Sequence, residues 1–134
     1  MDIKLAENCG FCFGVKRAVN MALEAADVEH HKTVTLGPII HNPQVVGSLQ
    51  AKGVDHVDSV SEIEDGTMII RSHGVGPEVY EEAEAKHLNI IDATCPHVKK
   101  AQQDAKKIID EGMSLVILGE KNHPEVKSIN LWAG

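Results

Sequence analysis

The chain has 134 residues, 43% hydrophobic and 25% charged, and its longest apolar runs fall well short of the roughly 18 residues of a membrane span. Thirteen basic against twenty acidic side chains give a net charge of −7, and no basic run exceeds Lys99-Lys100 or Lys106-Lys107. A globular chain with a real core is expected, with neither membrane nor nucleic acid among its partners.

In chain order, Ile3–Ala6 has the pattern of a short strand. Val15, Ala18, Val19, Ala22, Leu23 and Ala26 then recur at helical spacing, predicting a helix from Gly14 to Val28. Thr33–Leu36 reads as a strand, and Pro43–Ala51 as a helix with Asn42 as cap and Gly53 as stop. A short strand is expected within Val54–Val60. Thr67–Arg71 is apolar and β-branched, Pro77–His87 is helical, and Leu88–Ile91 reads as a buried strand. Pro96–Glu111 forms a helix closed by Gly112, and Ser114–Leu118 reads as the last strand. Short apolar strands alternating with helices define an α/β class built from parallel βαβ units. No Pro/Gly/Ser-rich linker marks a boundary.

A weak repeat runs through this pattern. Four strand ends lead through polar turns to a proline: Gly37–Pro43, Ser72–Pro77, Asp92–Pro96 and Gly119–Pro124. Each turn carries a His or a Cys. In a parallel sheet the crevice beyond the strand carboxyl ends receives ligands, and the following helices aim free amides at it. The repeat therefore gathers His41, His73, Cys95 and His123 toward one rim. Among the eight histidines, His30, His31, His56, His87 and His97 read as solvated or capping residues. His41, His73 and His123 suit an anion such as phosphate or diphosphate, to which Arg71 or Lys121 can add charge. Three imidazoles also suit zinc, although no His-x-x-x-His spacing is present.

Three cysteines with neither a signal segment nor a lipidation motif fit a reducing compartment, the cytoplasm. Cys9-x-x-Cys12 precedes a helix whose free amides favour a thiolate. Three readings stay open for these thiols: a redox pair, inert small core residues, or ligands of an iron–sulfur cluster drawn from distant segments. Glu125, two residues after His123, either complements a helix dipole or relays a proton to a leaving hydroxyl.

Five ordered motifs carry a resemblance: Gly10-Phe11-Cys12-Phe13-Gly14-Val15-Lys16-Arg17-Ala18-Val19, Gly37-Pro38-Ile39-Ile40-His41-Asn42, Arg71-Ser72-His73-Gly74-Val75, Asp92-Ala93-Thr94-Cys95-Pro96 and His123-Pro124-Glu125-Val126. Together they resemble the amino-terminal portion of the 4-hydroxy-3-methylbut-2-enyl diphosphate reductase family. The resemblance implies an iron–sulfur oxidoreductase of the non-mevalonate isoprenoid route, reductively dehydroxylating an allylic diphosphate to isopentenyl and dimethylallyl diphosphates. It implies a [4Fe-4S] cluster, with Cys12 and Cys95 matching two of its three cysteine ligands, and electrons from ferredoxin or flavodoxin. His41, His73 and His123 match the histidines that grip the diphosphate, and Glu125 matches the proton-delivering acid. The family architecture has three α/β lobes around the cluster. Residues 1–95 correspond to the first lobe with its cluster-ligand loop, and 96–134 to an incomplete start of the second. The third cysteine ligand, a threonine beside the acid, and Ser/Asn groups of the diphosphate pocket then fall beyond Gly134, so this chain is expected to be a fragment and inactive alone. The alternative is a non-catalytic anion- or zinc-binding α/β module that uses the histidine rim by itself.

Overall fold

Four segments bury side chains on both faces or pair edge to edge: β1 (Thr33–Leu36), β2 (Asp55–Val57), β3 (Thr67–Ile70) and β4 (Asn89–Asp92). They form one parallel sheet of order β2-β1-β3-β4 in a computed structural model that describes residues 1–7, 9–28 and 32–134. Around it lie α1 (Phe13–Ala26), α2 (Pro43–Gln50), α3 (Pro77–Ala85), α4 (Pro96–Asp110) and α5 (Pro124–Ala133), with a 3-10 turn at Val60–Glu62. The α/β class with parallel crossovers is the expected one.

The period of two along each strand sorts side chains into two cores. Val34, Leu36, Met68 and Ile70 face Val60, Ile63, Ala83 and Leu88 on one side. Ile69 faces the other, where Ala18, Ala22 and Ala25 of α1 meet Ile39, Ile40 and Leu49. The alanine stripe of α1 is the face that this helix buries in the second core. Burying side chains as large as Met68, Ile69 and Ile70, none of them exposed, contributes about 1.5–3 kcal/mol each.

Helix starts follow local chemistry. Asn42 accepts hydrogen bonds from the Gln44 and Val45 amides at 3.1 Å each, with Pro43 in the first turn, as its sequence predicts. Prolines 77, 96 and 124 likewise occupy first turns of α3, α4 and α5. Gly53 and Gly112, at φ of +85° and +76°, turn the chain out of α2 and α4.

Two expected strands do not form. Ile3–Ala6 and Ser114–Leu118 pair with nothing among the described residues, and Ile3, Leu5, Val116 and Leu118 are highly exposed. A strand is a pairwise object whose backbone groups need a neighbour's ladder, and neither segment has one within reach. His30 and His31 lie outside the described residues, whereas His56, His87 and His97 are exposed as expected. Among the described residues no helix is long and apolar enough to cross a membrane.

The connections create a switch in topology. From β1 the chain passes through α2 to β2 on one side, and from β3 it passes through α3 to β4 on the other. The loops leaving the adjacent strands β1 and β3 therefore diverge and open a crevice between them. Those loops carry His41 and His73.

Candidate functional site

Hydrogen bonds between remote segments close the rim turn by turn. The Ser72 hydroxyl donates to Ile39 O at 3.3 Å, joining the β3 turn to the β1 turn. The Cys95 amide donates to Ser72 O at 2.9 Å, bringing in the β4 turn. The Ser128 hydroxyl donates to His73 O at 2.8 Å, and Trp132 Nε1 donates to Val75 O at 2.8 Å, seating α5 on the β3 turn. Gln102 of α4 adds a bond to the same Val75 carbonyl at 3.4 Å. Ser72 and Ser128 are buried, so their hydroxyls satisfy carbonyls that no ladder reaches.

The consequence is a cluster of three imidazoles. One ring nitrogen from each of His41, His73 and His123 lies within 4.8 Å of the others, and the ring centroids are 4.6, 5.7 and 6.4 Å apart. His41 is exposed, and His73 and His123 are half-buried. The Glu125 amide donates to His123 Nδ1 at 3.2 Å, so that nitrogen keeps its lone pair and the ring proton sits on Nε2. His123 thereby caps α5 while presenting an N–H donor to the rim. His73 Nδ1 is buried without a hydrogen-bond partner among the described residues.

Burial, followed by the fields of His41, Arg71 and His123, lowers the His73 pKa to about 4. The unfolded chain therefore takes up this proton before the folded one does. His73's contribution to stability is complete above about pH 6.5 and is lost progressively as the pH falls toward about 4. The urea midpoint is expected to decline across that window, and His73→Gln is expected to flatten the decline; an unchanged slope removes His73 as its source.

Arg71 Nε is likewise buried without a partner among the described residues. Burial lowers the pKa of its guanidinium, and Asp58 partly offsets this. A Cβ at Gly37, whose φ is +69°, would lie 2.6 Å from Arg71 Nη1, so glycine there lets the guanidinium approach the rim. Lys121, the other cation considered from the sequence, is exposed.

The thiols occupy helix starts. Cys12 is the N-cap of α1 and exposed; Cys95 is the N-cap of α4 and half-buried. The first turn of α1 meets the β4 turn at Gly14, where a Cβ would lie 2.5 Å from Cys95 Sγ. Cys9 is exposed and free. Two thiols 83 positions apart thus flank one helix–turn junction, where two sets of free helix amides favour negatively charged ligands. That donor set fits a cluster held by thiolates from distant segments.

Spacing did not disclose the residues that brace this junction. Arg17 donates from α1 to Thr94 O at 3.1 Å and Asp92 O at 3.5 Å. The Asp92 carboxylate accepts from the Thr94 amide at 3.0 Å, from Tyr80 Oη at 3.1 Å and from Lys99. Burial raises the Asp92 pKa, but Lys99 and Thr94 more than offset it and hold the carboxyl below its usual range. Burial and Asp92 push Tyr80 up to about 12. The available signals were an arginine beside the alanine stripe of α1 and an acid ending an apolar strand.

Residues 3–134 match the family model described as LytB protein. The 4-hydroxy-3-methylbut-2-enyl diphosphate reductase of Geobacter metallireducens is 53% identical over 133 residues, which cover 99% of this chain and 47% of that protein. The protein of the same name from Geotalea uraniireducens is also 53% identical, with the same coverage. A solved structure of (E)-4-hydroxy-3-methyl-but-2-enyl diphosphate reductase superposes with a TM-score of 0.84 at 48% identity, over 97% of this chain and 46% of that one. The corresponding reductase of Plasmodium falciparum superposes with a TM-score of 0.89 at 32% identity, over 92% of this chain and 39% of that one. The chain spans about half the length of the curated relatives it matches.

Proposed function

The chain belongs to the LytB protein family, and from that premise we propose that it supplies the amino-terminal half of a 4-hydroxy-3-methylbut-2-enyl diphosphate reductase site. The substrate is an allylic diphosphate, reductively dehydroxylated to isopentenyl and dimethylallyl diphosphates, with ferredoxin or flavodoxin as electron donor. In this reading residues 1–95 form the first lobe and residues 96–134 begin the second. The observation that carries the reading is the imidazole triad at the sheet's switch point, its nitrogens within 4.8 Å of one another.

Each group then has a task. His123 directs its Nε2–H at a diphosphate oxygen while Nδ1 stays bonded to the Glu125 amide. His41, at the exposed mouth, meets the same anion. Burial first, and then the other two imidazoles and Arg71, keep the proton off His73, and an entering anion offsets the second of these. Cys12 and Cys95 would hold a [4Fe-4S] cluster, its third cysteine ligand coming from outside this chain. Bound there, the cluster supplies electrons and a Lewis-acidic iron for the substrate oxygen. Glu125, in the first turn of α5 beside His123, is the group that relays a proton to the departing hydroxyl.

The same triad admits zinc, but the hydrogen bond from the Glu125 amide to His123 Nδ1 supports an anion over it. Zinc on Nε2 would require a lone pair there and move the proton to Nδ1, depriving the Glu125 amide of its acceptor. An anion accepts the Nε2 proton and leaves that cap intact.

Calorimetric titration of inorganic diphosphate into the chain tests the anion site. Binding is expected, and His41→Ala is expected to weaken it by about tenfold or more, the cost of one charge-assisted hydrogen bond. Unchanged affinity would remove His41 from the site. Anaerobic reconstitution with iron and sulfide, followed by metal analysis and visible absorption, tests the thiols. Stoichiometric zinc uptake with no iron or sulfide would overturn the reductase reading in favour of the zinc module.

A further inference from the structure

The junction between α1 and the β4 turn contains two kinds of contact. At Gly14 there is only closeness: the missing side chain lets Cys95 Sγ lie against the first turn of α1. Closeness alone does not set how far α1 slides or rotates over the turn. Three residues further along the same face, Arg17 reaches across to two carbonyls, those of Asp92 and Thr94. A guanidinium presents its donors in a rigid planar fork, so meeting two carbonyls two residues apart fixes direction as well as distance.

The turn that Arg17 grips is itself rigid. Its backbone is pinned to the end of β3 by Ala93 N to Ile70 O at 3.0 Å and to the turn after β3 by Cys95 N to Ser72 O at 2.9 Å. Inside the turn, Asp92 takes the Thr94 amide, with Tyr80 and Lys99 on its other oxygen. Among the described residues, Arg17 makes the named hydrogen bonds that join this braced turn to α1, the helix capped by Cys12.

We infer that Arg17 is a positioning residue for the thiol pair, its fork onto Asp92 O and Thr94 O holding the Cys12-bearing helix in register with the Cys95-bearing turn. The inference rests on the reading of Cys12 and Cys95 as ligands of one group. It goes beyond that reading by naming what holds them together before any ligand arrives. Arg17 touches neither substrate nor cluster in this role; it acts through the backbone on the sulfur geometry.

The test uses cadmium on the full chain without cluster, with Cys9→Ser in every sample so that the Cys9-x-x-Cys12 pair cannot bind by itself. Cadmium is soft and takes thiolates, and the near-ultraviolet thiolate-to-cadmium band reads the sulfurs without contribution from the imidazole rim. Arg17→Met keeps the apolar stem and removes the fork. It is expected to weaken cadmium binding by about tenfold or more, with the far-ultraviolet circular dichroism and urea midpoint close to the parent's. Arg17→Lys, able to satisfy one carbonyl, is expected to fall between the two. Parental affinity in folded Arg17→Met overturns the inference. Should Arg17→Met fail to fold, Arg17→Lys decides: parental affinity overturns the inference, and weakened binding supports it. Cys95→Ser separates the two layers, because cadmium affinity unchanged by that substitution defeats the thiol pairing itself, whatever Arg17 does.

Discussion

Replacing Glu125 by glutamine in an enzyme of the relatives' full length, with this chain as its amino-terminal half, is expected to slow reductive turnover by about 10²–10⁴-fold while diphosphate affinity stays near the parent's. The substitution keeps the side-chain volume and leaves the backbone amide that bonds His123 Nδ1 untouched, so the imidazole rim keeps its shape. What it removes is the proposed proton relay. The Glu125 carboxylate is half-buried, and among the described residues no hydrogen bond or ion pair occupies it. The ordinary role of an acid in a first helical turn is to complement the helix dipole, which contributes about 0.3–1 kcal/mol to stability and nothing to chemistry. Stability and turnover therefore separate the two roles. Single-turnover rates together with a diphosphate titration make the measurement, and near-parental turnover with a slightly lowered urea midpoint would leave Glu125 as a dipole partner only.

Most of the scaffold was legible because its two central strands are buried throughout, whereas the edge strands β2 and β4 are exposed or half-buried. Thr33–Leu36 and Thr67–Ile70 are apolar or β-branched throughout and lie side by side at the centre of the sheet. Ser114–Leu118 is nearly as apolar, and Ile3–Ala6 alternates around Lys4, yet both remain unpaired among the described residues, because composition states a preference and only a neighbour turns it into a strand. The histidine rim was legible in part for a local reason: His41 and His73 stand in polar turns before helix-starting prolines, at the carboxyl ends of the parallel strands β1 and β3. His123, by contrast, directly follows no strand among the described residues and reaches the rim because Ser128 and Trp132 seat α5 on the β3 turn. The bracing was not. Arg17 and Thr94 are 77 residues apart, and Ser128 and His73 are 55 apart, so no spacing rule connects them. The cap from the Glu125 amide to His123 is only two residues long, yet it depends on a side-chain rotamer that sequence does not state.

Gly14→Ala offers a second large effect, because the sign of its stability change depends on the sulfur. Gly14 lies in the first turn of α1 without a positive φ, so its backbone already suits alanine. In an open helix the change would stabilise by about 0.8–1.0 kcal/mol. Here the new methyl would meet Cys95 Sγ at 2.5 Å and Cys95 Cβ at 3.1 Å. Rotation about χ1 moves the sulfur but not Cys95 Cβ, which shifts only with a backbone held by the amide bond to Ser72 O and by α4. Overpacking of this kind costs about 1–3 kcal/mol, so the expected net result is destabilisation. Gly47, exposed in α2 with nothing within 4 Å of a Cβ, is the matched control, and Gly47→Ala is expected to raise the urea midpoint. Iron and sulfide uptake on anaerobic reconstitution should fall in Gly14→Ala and stay parental in Gly47→Ala. If both substitutions stabilise alike and load iron alike, the close approach of α1 to Cys95 is absent in solution, and the thiol pair loses the contact that defines it.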